Sequence, residues 1–275
     1  MIKKLNIKQF IVYILITAAS LTMIMPLLWM LSASFKPETE VFAFPIQWIP
    51  ETFLWSNYVH VWTEYPFLNY YINSIKIAVA VTALQVVTCS MAAYSFSRIQ
   101  YPERDKIFFG YLSTMMIPYQ VIMIPQFMIM RNLGLMDTHL ALILIGAFAP
   151  FGVFLFRQFF ITIPMELSEA ARIDGCSEFS IYATIILPLA KPAMATLIIF
   201  TFIASWNDFL APLIYINSEE MKTLQLGMRN FQTLYDSNYA QLMAASVCAI
   251  VPTIIVFLFT QKYFINGIAT SGLKG

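Results

Sequence analysis

Charge is scarce in this 275-residue chain. Sixteen Lys and Arg stand against 15 Asp and Glu, 11% of the residues together, for a net charge of +1. A soluble domain carries about 25% charged residues. No basic stripe is present to follow a phosphate backbone, so no nucleic-acid partner is expected. The three cysteines, Cys89, Cys176 and Cys248, are isolated. They offer no CxxC or Cys/His spacing, so neither a zinc site nor a disulfide framework is expected. His60 and His139 also stand alone, and His139 follows Thr138 at a predicted helix start, where capping suits the pair. No Gly-Lys dipeptide occurs, hence no Walker A loop for ATP phosphates. No Ser/His/Asp group appears either. The chain is not expected to be an enzyme or to hold a cofactor of its own.

Apolar residues fill the space that charge vacates. They make up 59% of the chain, and the mean hydropathy is +0.71. That balance calls for lipid as the solvent. A spanning helix needs about 20 apolar residues. Six segments qualify, at about 10–31, 75–97, 107–130, 140–159, 192–215 and 241–261. The first is longer than the apolar run of a cleavable signal peptide, about 7–15 residues, and no A-x-A site follows it. It reads as a retained helix. The expected fold class is therefore an all-α membrane protein with six transmembrane helices. It would form a single transmembrane domain over 1–275, with a core at about 70–265 and a polar loop at about 160–191.

The positive-inside rule orients these spans. With the N-terminus inside, Lys3, Lys4, Lys8, Arg98, Arg104, Lys106, Arg157, Arg172, Lys191, Lys262 and Lys274 lie on the inner side. Lys36, Lys76, Arg131, Lys222 and Arg229 lie outside. Both termini and the loop between spans four and five are thus expected in the cytoplasm. The outer segment of about residues 36–70 is rich in aromatics, among them Phe42, Trp48, Trp55, Tyr58 and Trp62. Two roles fit it: an interfacial belt, or a surface for an external protein or partner permease.

The polar loop has a defined local grammar. Pro164 can open a helix, and Gly175 can close it in the left-handed conformation. Ser177 can cap the next helix, with Glu178 at its positive end. Glu169 could pair with Arg172 at i, i+3. Phe179, Tyr182, Ala183 and Ile186 would form one apolar stripe. Pro188 and Pro192 are expected to break the chain before span five.

Glu169-Ala170-Ala171, Gly175 four residues on, then Ile185 and Leu187-Pro188 give the spacing E-A-A-x3-G-x9-I-x-L-P. This resembles the cytoplasmic coupling loop of permease subunits of binding-protein-dependent ABC importers. The strings FLNYYINS (67–74), MIPYQVIMIPQF (116–127), LGLMDTHLALIL (133–144), WNDFLAPLIY (206–215) and FINGIATSGLKG (264–275) extend the likeness. They are similar to the smaller permease of maltose-type and glycerol-phosphate-type systems. The resemblance implies a type I ABC importer permease fold and a place in a bacterial plasma membrane. It implies a second permease subunit, a dimer of ATP-binding subunits that holds ATP and magnesium, and an extracytoplasmic sugar-binding protein. By position, Glu169 would meet a polar or basic group of the ATPase, and Ala170 and Ala171 would allow close approach. Gly175 would permit the turn, and Ile185, Leu187 and Pro188 would anchor the loop to the bundle. The C-terminal tail, 268–275, is expected to reach the ATPase as a second contact.

Asn207 and Asp208 are polar residues in the predicted fifth span, where an ionisable group is costly and usually faces a cavity. They either line the solute path, with Trp206 as a stacking face, or bond structurally to a neighbouring helix. Met115, Met116, Met123, Met128 and Met130 in span three fit soft packing better than a metal path. Pro118 and Pro125 should kink that span. The rival class is an ion- or proton-coupled secondary transporter, which would rely on more intramembrane ionisable groups than Asp208.

Overall fold

The computed structural model describes residues 7–231 and 238–271, with side chains as far as residue 263. Its elements in chain order are α1 (Ile7–Ala33), α2 (Ser56–Thr63), α3 (Phe67–Arg98), α4 (Arg104–Ser113), α5 (Tyr119–Asn132), α6 (His139–Gly146) and α7 (Pro150–Phe160). They continue as α8 (Glu166–Ile173), α9 (Glu178–Leu189), α10 (Lys191–Trp206), α11 (Leu210–Tyr215) and α12 (Tyr239–Ser271). No strand occurs among the described residues. Among them α1, α3 and α12 are each long and apolar enough to cross a membrane alone, and three bent pairs bring the candidate spans to as many as six.

Two of the bends fall where the prolines predict them, at Pro118 in the third span and before the fifth, whereas the fourth and fifth spans are themselves broken. α4 and α5 meet at 98°. Ile117, at ψ 115°, is driven out of the helical region by Pro118 behind it. Pro125, in contrast, sits inside α5 without a break. α6 and α7 meet at 41°, where Ala149 is extended at ψ 114° before Pro150. α9 and α10 meet at 80° around Ala190. α10 stops at Trp206 rather than running to 215. Pro212 has no N–H to offer the carbonyl of Asp208, and its ring would clash there, so the helix cannot pass through.

The described residues fall into two compact units. One combines the chain up to Phe67 with Met228–Val251. In it the aromatics of the outer segment pack on one another: Phe35 contacts Phe53, Trp55 and Tyr58 edge-on or tilted, and Phe42 lies between Trp29 and Tyr239. α1 contributes Ala33 and Trp29 to that small core, while its apolar face further toward Ile7 is exposed. The Glu38 carboxylate accepts from the Ala240 N–H and so caps the start of α12. That helix runs to Ser271, about ten residues past the expected end of span six. The rest of the tail, 272–275, lies outside the described residues, as do Lys3, Lys4 and Lys274.

The other unit comprises Leu68–Gly227 with the chain from Pro252. Its main core packs Cys89, Ala93 and Tyr94 of α3 against Phe156 and Phe160 of α7, Ala171 of α8, and Ile181 and Ile186 of α9. α3 also repairs the break between α6 and α7. Gln85 Nε2 donates to the Gly146 carbonyl at 2.7 Å, Thr88 Oγ1 to that of Ala147 at 2.7 Å, and Cys89 Sγ to that of Ala149 at 3.4 Å. The Gly146 and Ala147 carbonyls, freed by the break, need such partners in lipid, while that of Ala149 also accepts from the Val153 N–H at 3.2 Å. Gln85, Thr88 and Cys89 can supply them because i, i+3 and i+4 share one helix face. At the other end of this unit Asp137, at φ 58°, accepts from the N–H groups of Asn217 and Ser218 and from the Ser218 hydroxyl. Those bonds, that hydroxyl's foremost, hold its carboxyl below the usual carboxylate range. Thr138 caps α6 by accepting from the Ala141 N–H, as the sequence predicts.

Candidate coupling loop and solute cavity

Residues 161–190 form an elbow of two helices, α8 and α9, built by short-range rules. α8 ends in a Schellman motif: Cys176 N–H donates to the Ala171 carbonyl at 2.9 Å, and Gly175 N–H to that of Arg172 at 3.0 Å. Gly175 takes the left-handed φ of +83° that this motif needs. Ser177 Oγ accepts from the Ser180 N–H and caps α9.

Inside α9, residues Ile181–Ile186 are wound as a π-helix. The Leu187 N–H reaches back five residues to the Tyr182 carbonyl. Pro188 lacks the N–H that Thr184 would otherwise receive, and the wider turn spares its ring a clash. Pro188 is thus absorbed into the helix instead of breaking it. The extra residue also rotates the register. The buried face is Ile181, Tyr182 and Ile186, and Phe179 is 66% exposed instead of heading the expected stripe.

Side chains from other helices brace the elbow. Arg172 Nε donates to Glu178 Oε1 at 2.6 Å, and Tyr94 of α3 donates to Glu178 Oε2 at 2.7 Å. Arg172 therefore pairs across the turn with Glu178, not along α8 with Glu169. The guanidinium of Arg172, and next the Tyr94 hydroxyl, hold the Glu178 carboxyl below the ordinary range. Tyr182 shares a 2.7 Å hydrogen bond with Ser90. Arg98, at the end of α3 and only 3% exposed, donates to the carbonyls of Phe160 and Ile163 at 2.6 and 2.7 Å and to that of Pro164 at 3.3 Å. It secures the C-terminal end of α7 and the chain entering α8. In the sequence Arg98 is one of many inner-side cations; only the structure reveals this role.

The anticipated loop residues divide by place. Glu169, Ala170, Gly175 and Pro188 are exposed. Ala171 is buried against the core, so its small side chain serves close approach within this chain. Ile185 and Leu187 are partly buried on the same core. The Glu169 carboxylate makes no hydrogen bond or ion pair among the described residues, and Ile173 (87%), Cys176 and Phe179 of the same elbow are exposed.

Trp206, Asn207 and Asp208 lie at the break between α10 and α11. Trp206 is 1% exposed, stacked on Phe202 at 5.9 Å and edge-on to Tyr71 at 5.3 Å, so its ring is committed to packing. Asn207 Nδ2 donates to the Ile203 carbonyl, and its Oδ1 accepts from Gln225 at 3.2 Å. Asp208 Oδ1 accepts from the N–H groups of Leu210 and Ala211, which caps α11. Asp208 also borders a cavity of about 560 Å³ that lies wholly within this unit. Gln85 and Thr201 line it, joined by a 2.7 Å hydrogen bond from Thr201 Oγ1 to Gln85 Oε1. No group of three or more His, Cys, Asp or Glu placed to hold a metal occurs among the described residues.

Broken apolar spans, a polar elbow between the fourth and fifth, and a largely apolar cavity with a few polar groups define a helical membrane permease. The chain belongs to the family of binding-protein-dependent transport system inner membrane components, whose model matches residues 85–270. It is 39% identical to the arabinooligosaccharides transport system permease protein of Halalkalibacterium halodurans over 92% of this chain and 91% of that one. It is 32% identical to the sn-glycerol-3-phosphate transport system permease protein of Yersinia pestis over 94% and 95%. A crystal structure of a bacterial ABC transporter involved in the import of the acidic polysaccharide alginate contains a chain that superposes with a TM-score of 0.83 at 28% identity. That match covers 94% of this chain and 96% of the other. The fold is that of a type I ABC importer permease. The chain is a multi-pass membrane transport subunit and not an enzyme; ATP hydrolysis lies on a separate subunit.

Proposed function

We propose that this chain forms half of the translocation path of an ATP-driven carbohydrate importer in a bacterial plasma membrane. Its N- and C-termini and its elbow face the cytoplasm. The elbow, Glu169 to Pro188, docks on a dimer of ATP-binding subunits. A second, non-identical permease subunit completes the path, and an extracytoplasmic binding protein delivers the sugar. The carbohydrate reading draws on the cargo named for the relatives.

One observation carries the docking: an exposed tip on a braced base. Glu169, Ile173 and Phe179 are exposed, whereas Arg98, Tyr94, Glu178 and the buried face of α9 fix the elbow to α3 and α7. A lever needs both features. The tip transmits force only if its base does not yield, and it grips only if its surface is uncommitted. Its chemistry, apolar Ile173 and Phe179 beside unpaired Glu169, suits a cleft with an apolar floor and a basic rim.

The test uses a native thiol. Cys176 is exposed at the tip and Cys89 is buried. A thiol-directed photocrosslinker attached to Cys176 in the assembled importer is expected to join it to the ATP-binding subunit, and Cys176→Ser to abolish that product. Glu169→Lys is expected to leave the protein in the membrane while uncoupling ATP hydrolysis from uptake. Crosslinks that never reach the ATPase, together with wild-type transport by Glu169→Lys, would overturn the reading.

A further inference from the structure

The 560 Å³ cavity is lined by residues of this subunit alone. We propose that this subunit binds part of the transported carbohydrate in that cavity, and that the site accepts neutral hydroxylated solutes and rejects anions. The proposal rests on the importer reading above. The volume falls within the range of about 300–1,000 Å³ typical of small-molecule sites.

The polar groups facing the cavity have capacity to spare. Asp208 spends Oδ1 on two backbone N–H groups, and no hydrogen bond engages its Oδ2 among the described residues. Thr201 donates to Gln85, which leaves the threonine oxygen able to accept. Ser205 also lines the wall, and Phe151 and Phe200, edge-on at 6.0 Å, supply apolar surface for the faces of a sugar ring. Hydroxyl groups, which donate and accept at once, match this mixture.

A phosphate or uronate does not. Asp208 is the single ionisable group among the residues lining the cavity, and no Lys or Arg joins it. An anion entering there would lose its water with no cation to replace it and would meet a carboxyl group. Among the cargoes named for the relatives, an oligosaccharide without charge fits, and a sugar phosphate or an acidic polysaccharide does not.

The importer reconstituted in liposomes with its binding protein tests this. Asp208→Asn keeps the oxygen that caps α11 and removes the ionisable group. Ser205→Ala trims the wall without touching the cap. Uptake of a labelled neutral oligosaccharide is expected to fall severalfold in Ser205→Ala, with ATP hydrolysis stimulated by loaded binding protein within twofold of wild type. Asp208→Asn is expected to relax selection, so that a uronate-containing oligosaccharide competes for uptake where it did not before. Unchanged uptake in Ser205→Ala overturns the proposal, as does equal competition by neutral and anionic sugars in the wild type. Loss confined to variants that also fail to assemble overturns it too. Failure of the importer reading looks different, because wild-type uptake would then be indifferent to ATP.

Discussion

Replacing Gly175 should uncouple transport in proportion to the backbone strain introduced, and the structure sets the scale. Gly175 sits at φ +83°, and a Cβ built there meets no atom within 4 Å. Steric crowding is therefore excluded as a cost, and only the left-handed backbone is penalised. For an L-residue that penalty is about 1–2 kcal/mol. It shifts the balance between the native elbow and its alternatives by about 5–30-fold. Relaxing the strain would break the Schellman pair, Cys176 to Ala171 and Gly175 to Arg172, which links the two helices. Asn tolerates this conformation, Ala less so, and a β-branched residue least. Sugar taken up per ATP hydrolysed, measured in proteoliposomes, should thus rank Gly above Asn, Asn above Ala and Ala above Val. Membrane abundance should stay level across the series. A Gly175→Val complex with the wild-type ratio, or an Asn variant worse than Ala, would refute the reasoning.

Arg98→Lys should lower the thermal midpoint of the purified complex markedly, because an ammonium cannot serve the carbonyls of Phe160, Ile163 and Pro164 together; each buried carbonyl left unpaired costs about 1–3 kcal/mol, and an unchanged midpoint would contradict the brace. Glu178 has a depressed carboxyl pKa, so its contribution is fully present above the ordinary carboxylate value and is lost as pH falls through the lowered one. Protease access to the elbow should accordingly be flat from pH 6 to 8 and rise only in acid, and Glu178→Gln should flatten the acid rise. Gly152→Val should cost about 1–3 kcal/mol by overpacking, since a Cβ there lies 2.8 Å from Cys89 Sγ. Adding Cys89→Ala should restore part of the loss, and a second variant that only adds to the damage would show that the crowding lies elsewhere.

The elements legible in the sequence are those governed by neighbours along the chain. Apolar length located α1, α3 and α12, and the elbow followed from Gly175 and Ser177, whose conformations depend on a few adjacent bonds. The breaks were harder. Pro118 announced its bend, but Pro150, Pro188 and Pro212 each act on a carbonyl or a neighbour upstream, and the outcome depends on what can absorb the defect. At Pro188 a π-turn absorbs it, at Pro150 three side chains of α3 do, and at Pro212 the helix stops. The partner of Arg172 was not legible either. Two carboxylates lay within reach, and the choice of Glu178 is made by Tyr94, 78 residues before Arg172 in the chain. The cavity escaped the sequence because Gln85, Thr201, Asp208 and Thr223 converge from separate segments. Asp208 alone drew notice, as the one acid deep in a span.

The mending of the α6–α7 break by Gln85, Thr88 and Cys89 has a consequence for how the protein is made. Gln85 and Thr88 precede the freed carbonyls of Gly146 and Ala147 in the chain, so they leave the ribosome and enter the bilayer first. The defective span is therefore delivered to a receptor already in place, and its bare peptide groups never wait in hydrocarbon.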